Sequence, residues 1–135
     1  MKNTILSFVL LWTLFLSQCA AYSVTTTDSA TTLANAIFNG AGITVVSASY
    51  TGASAASGTF VDGPFGIGSG VILTTGTAVG SLANGNHYVD NGQPGSSIYC
   101  GSSTYNAALL SVDILVDIGY SGVLVEFIFA SEEEG

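Results

Sequence analysis

After Lys2 this sequence contains no lysine and no arginine, while nine aspartates and glutamates are spread along it. A surface without cations cannot neutralise phosphates, so nucleic-acid binding is excluded, as is electrostatic docking on anionic lipid. Cysteine is almost missing too. Cys19 and Cys100 are the whole complement, too few for a small scaffold stapled by disulfides, so packing must hold the core. The single histidine, His87, has only Asp90 nearby as a second candidate ligand, which leaves a zinc site far short of its usual four Cys or His ligands. Charged residues are 7% of the chain, but β-branched and aromatic residues are plentiful, and that balance argues against disorder. No apolar run reaches the roughly 20 residues that a spanning helix needs.

What is present begins with an address. Met1–Thr4 carries the one lysine, Ile5–Leu16 is apolar except for Ser7 and Thr13, and Ser17–Tyr22 turns small and polar. This is the order of a secretory signal peptide, here residues 1–21. Cys19-Ala20-Ala21 places small residues at −3 and −1, which predicts cleavage before Tyr22, and Gln18 opposes a lipoprotein reading of Cys19. The product, residues 22–135, has the length of one domain. Losing Lys2 moves its formal charge from −8 to about −9. Losing Cys19 leaves Cys100 as a free thiol, one half of an intermolecular disulfide, or a residue whose partner lies outside this chain. The expected location is secreted, extracellular or cell-surface.

Asp28 and Ser29 are possible N-caps for a short helix at Thr31–Phe38, which Asn39-Gly40 would close. Ile43–Tyr50 and Val71–Thr75 are β-branched runs bounded by glycine and read as strands. Gly63-Pro64 is a turn, and Gly76–Ser103 reads as a long loop with one short strand near Tyr88. Leu110, Val112, Ile114, Val116 and Ile118 alternate with more polar residues, giving one apolar face. Val123, Val125, Phe127 and Phe129 alternate with Leu124, Glu126, Ile128 and Ala130, apolar on most of both faces. Gly119–Gly122 would join these two runs as a hairpin whose second strand is central in a sheet. With one helical segment, the predicted fold is all-β: a β-sandwich, jelly-roll-like, with one short N-terminal helix. A strand apolar on both faces needs two neighbours, and too few strands are visible. The sequence therefore predicts a domain truncated at its C-terminus.

Catalytic patterns fall short. A Ser-His-Asp triad would have to use His87. Gly119-Tyr120-Ser121-Gly122-Val123 misses the nucleophile elbow, and Gly66-Ile67-Gly68-Ser69-Gly70-Val71 misses the dinucleotide fingerprint. Cys100 as a nucleophile needs a base and a lowered pKa, which a net-negative chain opposes. The carboxylates remain. Asp113, Glu126, Glu132 and Glu133 are the candidate ligands for Ca²⁺, a hard cation that takes roughly six to eight oxygens. Two of them could instead do acid/base work on a glycoside, or all could be solvated charge that keeps the chain soluble. No EF-hand spacing is present, so charge density alone carries the calcium reading.

A series of short blocks then appears in order: Leu33-Ala34-Asn35-Ala36-Ile37, Gly42-Ile43-Thr44-Val45, Tyr50-Thr51-Gly52-Ala53, Gly58-Thr59-Phe60 and Gly63-Pro64-Phe65-Gly66-Ile67. Ser69-Gly70-Val71-Ile72-Leu73-Thr74-Thr75-Gly76, Tyr105-Asn106-Ala107-Ala108-Leu109-Leu110 and Phe127-Ile128-Phe129-Ala130-Ser131-Glu132-Glu133 complete it. The series resembles the choice-of-anchor L domain of exported and surface proteins. That resemblance implies an extracellular β-rich domain without established catalytic residues, and it supplies no ligand. Glu134 stands where the family carries an aromatic residue. The functional expectation is a secreted or cell-surface, non-enzymatic binding module of the adhesion type, possible partners being an extracellular glycan or protein and possible assistance coming from Ca²⁺. The alternatives are a secreted carboxylate-dependent glycoside hydrolase and a structural surface-coat protein without a ligand.

Overall fold

The computed structural model describes residues 21–64, 66–86 and 89–131. Most of its regular structure is strand, arranged in two antiparallel sheets with one α-helix. Strands β1 (Ser23–Thr26), β3 (Ser57–Val61) and β4 (Ser69–Leu73) form the first sheet in the order β1-β3-β4. Strands β2 (Ile43–Thr51) and β5 (Leu109–Val116) form the second, a two-stranded ribbon. Helix α1 (Ala30–Ile37) lies against strands of both sheets. No helix among the described residues is long and apolar enough to cross a membrane.

The helix starts where its capping chemistry places it. Ser29 is the N-cap, its Oγ accepting from the backbone N of Thr32 at 3.3 Å. Such a cap supplies one of the orphan donors of the first turn, and losing it typically costs about 1 kcal/mol. Leu33 and Ala34 are fully buried, and their helical neighbours are more exposed. Ala56, Ser57 and Ala78 are buried as well, carried by the start of β3 and by two short 3₁₀ turns, Ser54–Ala56 and Ala78–Ser81, that pack with β1 and with each other. These residues are small, so backbones approach closely. At Gly58 an added Cβ would stand 2.7 Å from the carbonyl O of Thr25 and 3.1 Å from the Cβ of Ala78.

Beyond the ladders themselves, Thr27 N donates to Ser57 O at 3.1 Å, Ser57 Oγ donates to Thr27 O at 2.8 Å, and Thr74 N donates to Ala56 O at 3.0 Å. The buried polar side chain of Ser57 is thus satisfied, as burial requires. Tyr22, the first residue of the predicted mature chain, sets its ring edge-on to Phe60 with centroids 6.0 Å apart and shares a hydrogen bond with Ser81 at 3.0 Å.

The ribbon follows the expected alternation with one adjustment. On β5, Leu110, Val112, Ile114 and Val116 are half-buried, whereas Ser111, Asp113 and Leu115 are exposed. On β2, Ile43 and Val45 turn inward, and so do Ala48 and Tyr50, a step of three rather than two between Val45 and Ala48. The pairing shows why: Val45 faces Ile114 and Ser47 faces Asp113, so Val46 is an inserted bulge residue, 67% exposed. One extra residue in a strand of period two changes which face the rest occupies. Here it returns Ala48 and Tyr50 to the inner side.

Several sequence expectations need correction. The helix is one residue earlier than predicted, and β4 begins and ends two residues before Val71–Thr75. β1 and β3 were not anticipated as strands. The segment predicted as the second hairpin strand, Val123–Phe129, forms no strand, and residues 117–131 are exposed throughout. A run apolar on both faces is stable as a strand only when sheets or helices cover both faces, and no described element does so. β5 takes β2 as its partner instead. Within Gly76–Ser103 the chain is mostly irregular, as expected, apart from the 3₁₀ turn. Tyr88 lies outside the described residues, and 89–93 contains no strand.

Candidate functional site

Three loop segments meet beside the end of β4. The first carries the Asp90-Asn91-Gly92 turn. Asp90 Oδ1 accepts from Gly92 N at 2.9 Å and from Asn106 Nδ2 at 3.0 Å. These two bonds, the backbone donor foremost, hold the Asp90 carboxyl below its ordinary pKa, because both stabilise its ionised form. Asn106 Oδ1 accepts from Gln93 N at 3.0 Å, and Asn106 N donates to Gln93 O at 2.8 Å. One asparagine therefore fastens two loops with both ends of its amide and with its backbone. Its φ is +56°, a left-handed conformation that asparagine tolerates better than most residues. Asn91 Nδ2 donates to the carbonyl oxygens of Thr75 and Gly76 at 2.9 and 2.6 Å, tying the same turn to the end of β4. Pro94 and Tyr105 form an isolated antiparallel bridge across the clasp.

The fastened loops border an open groove of about 400 Å³, lined by Leu73, Thr75, Cys100, Ser103, Tyr105 and Leu109 among others. Its chemistry is hydroxyl and apolar. Cys100 and Tyr105 are the titratable side chains on its walls, so it offers no carboxylate pair for acid/base work. Tyr105 is 74% exposed and Cys100 is exposed with a free thiol. Such walls hold a neutral ligand through apolar contact and a few hydroxyl hydrogen bonds.

The acidic candidates lie elsewhere. Asp113 is on the outward side of β5, and its Oδ2 accepts from Ser47 Oγ at 2.5 Å. The Val46 bulge makes that pairing by turning Ser47 outward opposite Asp113. Glu126 sits in the exposed segment after β5, beside Gly66 and Ile67. Glu132 and Glu133 lie outside the described residues, as does His87. Among the described residues no group of three or more His, Cys, Asp or Glu side chains converges.

The clasp was only partly visible in the sequence. Asp90-Asn91-Gly92 announces a turn, since Asx residues bond the backbone two positions on. Asn106 gives no such signal, because its partners are 13 and 16 residues away. Compared with protein-family models, with curated proteins and with solved structures, the chain matches none.

Proposed function

We propose that this chain is a secreted or cell-surface binding module of the adhesion type, without catalysis of its own, whose groove beside β4 takes an extracellular glycan or a protein loop. The groove carries this reading: an exposed aromatic, Tyr105, lines it together with the hydroxyls of Thr75, Ser103 and Thr104 and the apolar side chains of Leu73 and Leu109. An aromatic face with hydroxyls around it suits the apolar faces and hydroxyl edges of a sugar. The leader-like opening supports export, and the ordered series of blocks supports membership of the choice-of-anchor L family. The two sheets and the helix packed on both are then part of a jelly-roll-like sandwich. Calcium assistance would draw on the carboxylates Asp113, Glu126, Glu132 and Glu133, with Asp113 and Glu126 at separate places rather than in one set, since Asp113 is held by Ser47 and Glu126 lies beside Gly66 and Ile67.

A glycan and matrix-protein array tests the reading. The expected result is binding that Tyr105→Ala abolishes while the circular dichroism spectrum stays unchanged. Hydrolysis of a polysaccharide that disappears in Glu132→Gln or Glu133→Gln would replace the binding module with a hydrolase. Calorimetric titration with Ca²⁺ tests the metal: no heat and an unmoved melting temperature remove that part.

A further inference from the structure

The segment after β5 presents large apolar side chains to solvent on both sides: Leu124, Phe127 and Phe129 are 87%, 83% and 85% exposed. β5 is bonded to β2 along one edge only, and its other edge is open among the described residues. These two features fit each other by register. Antiparallel pairing across the four residues 119–122 sets Val123 opposite Ile118, Val125 opposite Val116, Phe127 opposite Ile114 and Phe129 opposite Val112. Every apolar residue on the inner row of β5 from Val112 onward then meets an apolar partner. The three carboxylates of this region avoid one another in direct pairs, with Asp113 facing Ile128, Asp117 facing Leu124 and Glu126 facing Leu115. Cross-strand partners of this kind are the unit that stabilises a sheet.

Within one molecule the segment leaves its own β5 edge. Tyr120 N donates to Asp117 O at 3.2 Å, closing a turn, and the Tyr120 ring lies over Gly42 where a Cβ would stand. From there the chain runs beside Gly66 and Ile67.

We propose that two copies of this chain exchange residues 123–130, each segment adding a strand to the open β5 edge of the other. Each copy has one donor segment and one acceptor edge, and a reciprocal exchange satisfies all four in a closed twofold dimer, whereas a one-way exchange would leave an edge and a segment free. Burial of an aromatic removes about 150–250 Å². The four phenylalanines of the dimer thus cover about half of a standard interface of roughly 1,600 Å², and the leucines, isoleucines and valines supply more. Gly119 and Gly122 flank the hinge, which gives the crossing chain its freedom. The exchange is independent of whether the groove binds a glycan.

The test uses the chain expressed from its complete sequence with Cys19 and Cys100 both replaced by Ser. One preparation carries Leu115→Cys and an isotopically labelled one carries Glu126→Cys, the two positions that face each other. Oxidation of the mixture is expected to give a labelled–unlabelled disulfide. Light scattering on the unsubstituted chain is expected to give twice the chain mass, falling to the single mass in Phe127→Lys and in the milder Phe127→Ser with circular dichroism unchanged. A monomer in light scattering overturns the proposal. So do a mixture that forms no mixed disulfide, an open series of oligomers, and a doubly substituted chain that closes its disulfide within one molecule.

Discussion

Between residues 23 and 81 the fully buried side chains are mostly small: Ala34, Ala56, Ser57 and Ala78 around the single Leu33. Between 117 and 131 the chain carries valines, leucine, isoleucines and phenylalanines, and every residue is exposed. Hydrophobic character alone does not separate the two regions. What separates them is the number of neighbours that local structure delivers. In the first region a capped helix converges with strands of both sheets, a central strand has partners on both edges, and two 3₁₀ turns pack with β1 and with each other. In the second, a single turn releases the chain beyond the last strand. Apolar burial contributes roughly 25 cal/mol per Å², but only where another surface arrives to exclude water.

The largest expected effect lies at the convergence point. Leu33→Ala should cost about 2–5 kcal/mol, the range for deleting a buried leucine side chain, seen as a large fall in the midpoint of chemical unfolding. A cost below 1 kcal/mol would erase the distinction between the regions. Next comes Gly58→Val, which forces a side chain against the Thr25 carbonyl and Ala78; about 1–3 kcal/mol is expected, and a near-neutral result would show that β1 and the second 3₁₀ turn yield easily.

Smaller again is the clasp. Because the folded Asp90 carboxyl titrates below its unfolded value, its contribution is present above about pH 4 and is lost as pH falls through the folded pKa. Asp90→Asn should therefore lower the melting temperature at neutral pH, with the gap to the parent closing on acidification. A gap that widens in acid contradicts the assignment. The smallest effect belongs to the exposed segment. Phe129→Ser, measured at concentrations where the chain is monomeric, should change stability by less than about 0.5 kcal/mol. A larger loss would mean that the segment packs on its own molecule.

The same contrast explains how much of the molecule the sequence disclosed. Helix α1 was legible because its start signal is local, Ser29 capping Thr32, although Phe38 rather than Asn39-Gly40 closes it. β2 and β5 were legible because their alternation is long. β1 and β3 were not, since Ser23–Thr26 and Ser57–Val61 are short and rich in small residues, and their strand character comes from pairing with each other. Val123–Phe129 failed in the opposite direction, having the composition of a strand and no neighbour to pair with. For the site, the Asp90-Asn91-Gly92 turn could be read locally, but Asn106 and Ser47 act across long sequence separations and leave no trace in spacing. The acidic residues stood out by type. Type alone placed Asp113 and Glu126 in one set, whereas the fold commits Asp113 to a serine on the neighbouring strand and leaves Glu126 beside Gly66 and Ile67.

The bulge at Val46 also decides how this ribbon can vary in length. Val46 is the unpaired extra residue, so removing it alone would leave Val45, Ser47 and Ala48 in plain alternation against Ile114, Asp113 and Val112. Adding a second residue beside it without widening the bulge would instead swing Ser47 into the interior and Ala48 out of it, undoing the hydroxyl–carboxylate contact. β2 should thus accept the loss of its bulge residue and reject a further single insertion there.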